Sequence, residues 1–213
     1  MPRPDRQTQA SSHAPRTAPV VTALRKTGRD RIAVELDGMP WRVLPAESVL
    51  AAGLEKGSTL DRLRARMLRT ELRRVEARTA ALSVLSHRDH TVTTLRGRLD
   101  AKGIAPVDRD VAIETMERAG LVDDSRFAQG RAAALAARGA GNLMIRDDLE
   151  RRGVSAELVN QAIQGLEPEF DRVRRLLTAH GTSPRTLRRL AAKGFSEDAL
   201  EALVADQREA ELG

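Results

Sequence analysis

Three stretches, Leu99-Asp100-Ala101-Lys102-Gly103-Ile104, Leu149-Glu150-Arg151-Arg152-Gly153-Val154 and Leu190-Ala191-Ala192-Lys193-Gly194-Phe195, share the form Leu-x-x-basic-Gly-apolar. Such a stretch reads as the end of a helix. The Leu faces a core, the basic residue complements the helix C-terminus, the Gly takes a left-handed cap, and the apolar residue after it packs back. One copy is an ordinary helix ending. Three copies, 50 and 41 residues apart, each between the second and third helix of a group, indicate an internal repeat.

Working outward from these stretches, helices are expected near 91–102, 107–119, 124–138, 142–152, 155–165, 168–180, 184–193 and 196–208. Gly103, Gly120, Gly139, Gly153, Gly181 and Gly194 stand where C-terminal caps belong. Asp123, Asn142, Ser155, Ser183 and Ser196 stand where N-caps belong. The helices form groups at about 70–119, 124–165 and 168–208. Two or three short helices are expected to be unable to bury their apolar faces alone, so neighbouring groups should stack. The fold class that follows is mainly α, with three tandem three-helix repeats forming an elongated arc after a small β-containing N-terminal domain. Such arcs bind other macromolecules along an extended surface and rarely hold a deep catalytic pocket.

Before the repeats the pattern changes. Residues 1–19 are rich in Pro, Ser, Thr and Arg, show no periodicity, and read as a disordered tail. Within 20–57, Arg31-Ile32-Ala33-Val34-Glu35-Leu36 alternates, Asp37-Gly38 signals a hairpin, and Trp41-Arg42-Val43-Leu44 is the return strand. With Val20-Val21-Thr22-Ala23-Leu24 this gives a three-stranded antiparallel sheet, packed on a short helix at 46–52. The helical repeat domain is placed at 58–213, with Ser58 expected to cap its first helix.

Composition narrows the function classes. The chain of 213 residues has no Cys, which excludes disulfide frameworks, thiol catalysis and Cys-ligated zinc. There is no secretory pattern at the N-terminus and no apolar run of membrane-spanning length, so a cytoplasmic protein with no membrane contact is expected. Formal net charge is +6 and the sequence pI about 10.7, which favours a polyanionic partner. Of 36 basic residues 32 are Arg, a bias that explains Arg over Lys but not the basic excess. Segment 171–193 carries seven basic residues and one acid, whereas 195–213 carries six acids and one Arg. The only aromatics are Trp41, Phe127, Phe170 and Phe195, too few for a base-stacking platform.

Several chemical readings are set aside. His87 and His90 flank Asp89 but lack the three or four converging ligands of a metal site. Asp123-Asp124 and Asp147-Asp148 read as capping and solvated acids, not a catalytic pair. Gly139-Ala140-Gly141 enters a helix and offers backbone N–H groups to a phosphate, but lacks the Gly-Lys-Ser/Thr of a P-loop. No catalytic residues, metal ligands or cofactors are assigned, and the chain is read as a non-enzyme. The functional candidates are basic side chains on the second helices: Arg96, Arg98 and Lys102, then Arg146, Arg151 and Arg152, then Arg188, Arg189 and Lys193. Stacking would line them up as a stripe.

The order of motifs carries a family resemblance. Gly120-Leu121-Val122-Asp123-Asp124-Ser125-Arg126-Phe127-Ala128 resembles the most distinctive stretch of RecX regulatory proteins. Gly139-x-Gly141, Ile145-x-x-x-Leu149-x-x-x-Gly153-Val154 and Leu190-x-x-x-Gly194-Phe195 continue it over about 70–208. Asp123, Asp124, Phe127, Gly153 and Gly194 are the structural motif residues, with Asp123 capping the helix that carries Phe127, and Phe127 expected between the first two groups. Gly130 departs from the pattern and is expected to interrupt that helix, where a better helix former would stand. Nothing in the sequence suggests an obligate dimer, so a monomer is expected, and the resemblance implies a regulator that binds within the groove of the RecA filament on single-stranded DNA. It would limit filament growth, strand exchange and ATP hydrolysis, and touch single-stranded DNA indirectly or weakly. The alternatives are a helical DNA-binding regulator acting without RecA and a repeat-type adaptor.

Overall fold

The structure is a computed structural model that describes residues 17–202. The chain divides into two compact units, Met1–Val75 and Glu76–Gly213. The expected tail up to residue 16 and the last part of the expected 196–208 helix lie outside the described residues.

In the first unit, strands β1 (Val21–Lys26), β2 (Arg31–Leu36) and β3 (Met39–Pro45) form an antiparallel sheet in the order β1-β2-β3. The β2–β3 hairpin closes through Asp37 and Gly38, both left-handed at φ 49° and 79°, the backbone that a two-residue turn needs to match strand twist. Pairing places Ile32 opposite Leu44 and Ala33 opposite Val43. Alternation then sends Val21, Val34 and Leu44 to one face, where they are buried with Val49, Ala52 and Leu54 around helix α1 (Ala46–Ala51).

A three-stranded sheet with a six-residue helix has too little apolar area to stand alone. The same core takes in Leu60, just before helix α2 (Arg62–Leu85), and Leu68 and Leu72 from the first half of that helix. The compact unit therefore extends past 57, where the sequence reading set its limit, and the division falls within α2. Ser58 does not cap α2. Residues 58–60 run beside β1, with Val21 N–H donating to the Ser58 carbonyl (2.9 Å) and Leu60 N–H to the Pro19 carbonyl (2.7 Å). Asp61 is the cap, its carboxylate accepting from Arg64 N–H at 2.8 Å.

In the second unit the helices are α3 (Val92–Ala101), α4 (Pro106–Arg118), α5 (Asp124–Ala137), α6 (Asn142–Arg151), α7 (Ala156–Gln164), α8 (Glu169–His180) and α9 (Pro184–Ala192). Residues 197–202 begin a further helix. The six glycines expected as C-terminal caps all have positive φ, from 66° to 81°. Asp123, Ser155 and Ser183 cap as expected. Asn142 does not: Gly141 holds the cap position and Asn142 is the first helical residue.

The repeat is a packing repeat. Leu99, Leu149 and Leu190 are all buried, each in a different core. The first core gathers Ala81, Leu95, Leu99, Ile113, Met116 and Val122. The second gathers Ala128, Ala132, Ile145, Leu149, Val154 and Val159, with Phe127 against it. The third gathers Val173, Leu177, Leu190, Phe195 and Leu200, with Phe170 against it. This corrects the expectation that a group cannot bury its own apolar faces. Each three-helix group closes its own core, which leaves the joints between groups to polar chemistry.

Candidate functional site

Every joint in the second unit is built from the N-terminus of one group's second helix and two pieces of the next group. At the first joint, Asp124, the first residue of α5, accepts from Val92 N–H at 2.8 Å, and Val92 is the first residue of α3. At the second joint, Glu169, the first residue of α8, accepts from Asn142 N–H at 2.6 Å, and Asn142 is the first residue of α6. The second helices α3 and α6 thus each have one orphan N–H group satisfied by an acid from the following group.

The Leu-x-x-basic-Gly stretch supplies the other half. Thr91 Oγ1 donates to the Arg152 carbonyl at 2.7 Å and Thr93 Oγ1 to the Gly153 carbonyl at 3.4 Å. One joint later, Gly141 N–H donates to the Lys193 carbonyl at 2.8 Å and Leu143 N–H to the Gly194 carbonyl at 3.0 Å. The approach is so close that a Cβ on Gly153 would stand 2.4 Å from the Thr93 side chain, and one on Gly194 2.4 Å from the Met144 nitrogen. A Cβ on Gly103, which has no group before it to dock on, would meet nothing within 4 Å. The N–H groups of Gly141, Asn142 and Leu143 are therefore taken by the protein itself. The Gly139-Ala140-Gly141 turn does not offer them to a phosphate.

Two charged side chains organise the second group and its joint with the third. Arg172 is buried, donating to the carbonyls of Ala140 (2.8 Å) and Glu167 (3.1 Å) and to Asn142 Oδ1 (2.5 Å), with its guanidinium 5.8 Å from the Phe195 ring centroid. Burial pulls its pKa down, and Glu169 and Glu167 oppose this. Asp148 accepts from Arg131 (2.8 and 2.9 Å) and from Arg152 (2.9 and 3.3 Å). The Arg131 hydrogen bonds, against the cost of burial and with help from Arg152, hold its carboxyl well below the ordinary range. Asp148 is thus a structural anion joining α5 to α6, where the sequence reading made it a solvated acid. Asp124 goes the other way: burial pushes its carboxyl up, the Val92 N–H opposes this and neighbouring Asp123 adds to it.

Each joint leaves an open, positively charged cleft. The first, about 440 Å³, is lined by Arg88, His90, Arg98, Phe127 and Arg152, with Asp89 its one acid. The second, about 330 Å³, is lined by Arg138, Arg172, Arg175, His180, Lys193 and Phe195. His90 is almost wholly buried. Burial lowers its pKa, and Arg88, Arg98 and Arg152 lower it further against the pull of Asp89. Among the described residues no three His, Asp or Glu side chains are grouped to hold a metal, and no helix is long and apolar enough to cross a membrane.

A family model described as RecX, second three-helix domain, matches residues 123–163, the span of α5 to α7. The chain is 32% identical over 124 residues to the regulatory protein RecX of Chromohalobacter salexigens, an alignment covering 54% of this chain and 82% of that one. It is 32% identical over 139 residues to the regulatory protein RecX of Trichlorobacter lovleyi, covering 58% and 90%. The chain belongs to the RecX family of regulatory proteins.

The fold agrees with solved RecX structures. A crystal structure of regulatory protein RecX superposes with a TM-score of 0.72 at 18% identity, covering 86% of this chain and 97% of that chain. RecX from Lactobacillus salivarius gives 0.55 at 17% identity, covering 63% and 96%. Against this RecX framework the sequence candidates separate. Arg98 and Arg152 come together in the first cleft and Lys193 lies in the second. Arg96, Arg146 and Arg151 are outside both clefts and are paired on their own surfaces with Asp110 (3.7 Å), Glu150 (3.8 Å) and Asp147. Lys102, Arg188 and Arg189 also line neither cleft; Arg188 Nε reaches only the Pro184 carbonyl, at 3.2 Å.

Sequence reasoning missed Arg88, His90 and Arg138. A signal was available, since Arg88 and Arg138 each stand three residues before the N-cap of a second helix, Thr91 and Gly141. In the RecX motif stretch, Asp123 caps α5 through Arg126 N–H at 2.9 Å. Asp124, its neighbour, belongs to the joint.

Proposed function

We propose that this RecX-family chain is a non-enzymatic regulator that binds the RecA filament on single-stranded DNA. It limits filament growth and with it strand exchange and ATP hydrolysis, acting as a monomer in the cytoplasm. The observation that carries this reading is family membership, with relatives that are named regulatory proteins and a family model that matches the second helical group. The joint chemistry supports it. Groups that close their own cores and meet through polar contacts present a serial surface, suited to a repetitive partner. Basic clefts suit a partner that is itself a nucleoprotein.

The test is RecA ATP hydrolysis on single-stranded DNA, with the chain titrated in well below the RecA concentration. Inhibition at that ratio is the expected result and indicates blocked growth. A second reading, a DNA-binding regulator acting without RecA, is favoured by the cations that line the two clefts. Unchanged hydrolysis, with salt-sensitive binding to naked DNA, would establish that reading instead.

A further inference from the structure

The two clefts are the same site built twice. Arg88 and Arg138 occupy equivalent positions, three residues before the cap of the second helix of their group. Arg152 and Lys193 are equivalent too, each the C-cap of the second helix in the following group. The third wall is the first helix of that following group, through Phe127 and Arg172, each three residues past the acid that makes the joint. Each cleft thus draws cations from both sides of its joint.

These cations are not all neutralised. Arg152 is held by Asp148 and Arg175 by Glu167, and Arg172 is committed to the joint backbone. No described carboxylate lies within ion-pair distance of Arg88 or Arg98 in the first cleft. The same holds for Arg138 and Lys193 in the second. Arg88 Nε donates instead to His90 Nε2 at 3.4 Å, on a ring whose pKa burial and then the surrounding arginines lower.

We propose that each joint cleft is a phosphate site, so that the chain carries two equivalent sites, one between each pair of neighbouring groups. A guanidinium fork matches the oxygens of a phosphate. The one aromatic of each cleft, Phe127 or Phe195, is packed into or against the core of its own group, so such a site takes the phosphate and not a base. Because cations from two groups share one anion, an occupied cleft also fastens its joint. The phosphate has two available sources, the backbone of a single strand or a free phosphate compound. The inference concerns the joints alone and does not depend on RecA.

The experiment uses the full chain, a labelled single-stranded oligothymidylate and fluorescence anisotropy over a salt series, with pyrophosphate thermal shifts as a second arm. Arg88→Gln and Arg138→Gln remove one unpaired cation from each cleft, and Arg146→Gln, outside both, is the control. If strand phosphates occupy the clefts, each cleft variant lowers the slope of log K against log salt by about 0.7. The double variant then lowers it by about 1.4, and the control leaves it unchanged. If the slope is unchanged but pyrophosphate stabilises the parent chain and not the double variant, the sites stand and their source is free phosphate. Parent-like slope and parent-like pyrophosphate response in the double variant, with helical content intact, overturn the proposal. RecA hydrolysis, measured separately, reports on the filament reading and not on this one.

Discussion

Three glycines that look interchangeable in sequence should differ sharply in cost. Gly103, Gly153 and Gly194 all sit at φ between 75° and 81°. A Cβ in the left-handed region costs on the order of 1–2 kcal/mol. For Gly103→Ala that is the whole effect, because the new Cβ meets nothing within 4 Å. For Gly153→Ala the Cβ falls 2.4 Å from both Cβ and Oγ1 of Thr93. The joint must open, which adds about 1–3 kcal/mol. It also strains the 2.7 Å Thr91–Arg152 hydrogen bond, worth about 1 kcal/mol. Urea unfolding of the full chain, followed by circular dichroism, should therefore place Gly153→Ala well below Gly103→Ala. A double-mutant cycle sharpens the test. Thr93→Gly removes the three atoms nearest the new methyl, so it should recover more than about 1 kcal/mol of the Gly153→Ala loss. At Gly194 the obstacle is the Met144 backbone nitrogen, and Met144→Gly should recover much less. Equal losses at 103 and 153, or no coupling between 93 and 153, would refute the docking role assigned to the repeat glycine.

Asp148→Asn should cost about 1.5–3 kcal/mol near neutral pH, the worth of hydrogen bonds to a charged group. Because the Asp148 carboxyl is depressed below its ordinary value of 3.8, its contribution is full above that value and is lost as pH falls toward the folded one. The gap between parent and Asp148→Asn in thermal unfolding should accordingly narrow below about pH 4, and a gap independent of pH would contradict the ion network. Arg172→Lys should not substitute for Arg172, since an ammonium cannot span the Ala140 carbonyl, the Glu167 carbonyl and Asn142 together. A melting temperature equal to the parent's would show that the fork is dispensable. Ser48 is fully buried on α1 and its hydroxyl has no hydrogen-bond partner, so Ser48→Ala should raise stability by about 1 kcal/mol, read as a higher urea midpoint.

The sequence by itself determined the elements and their grouping. Helix ends carry local chemistry that one chain segment dictates alone: a left-handed Gly such as Gly153, a capping Asp123 or Ser183, a turn such as Asp37-Gly38. The buried leucines of the three motif copies likewise follow from spacing. The motif order pointed to the RecX family for the same reason. What only the tertiary structure decided is where one group meets another. Asp124 and Asp123 are adjacent and chemically identical, yet one caps its own helix and the other caps α3, 32 residues away. Asp148 sits beside Asp147, yet one organises two arginines and the other pairs on an exposed face. Arg98 and Arg152 share a cleft, whereas Arg151, next in sequence, does not. Adjacent residues on a helix point about 100° apart. Which of them reaches a joint therefore depends on the rotation of one packed group against the next, and no local propensity encodes that.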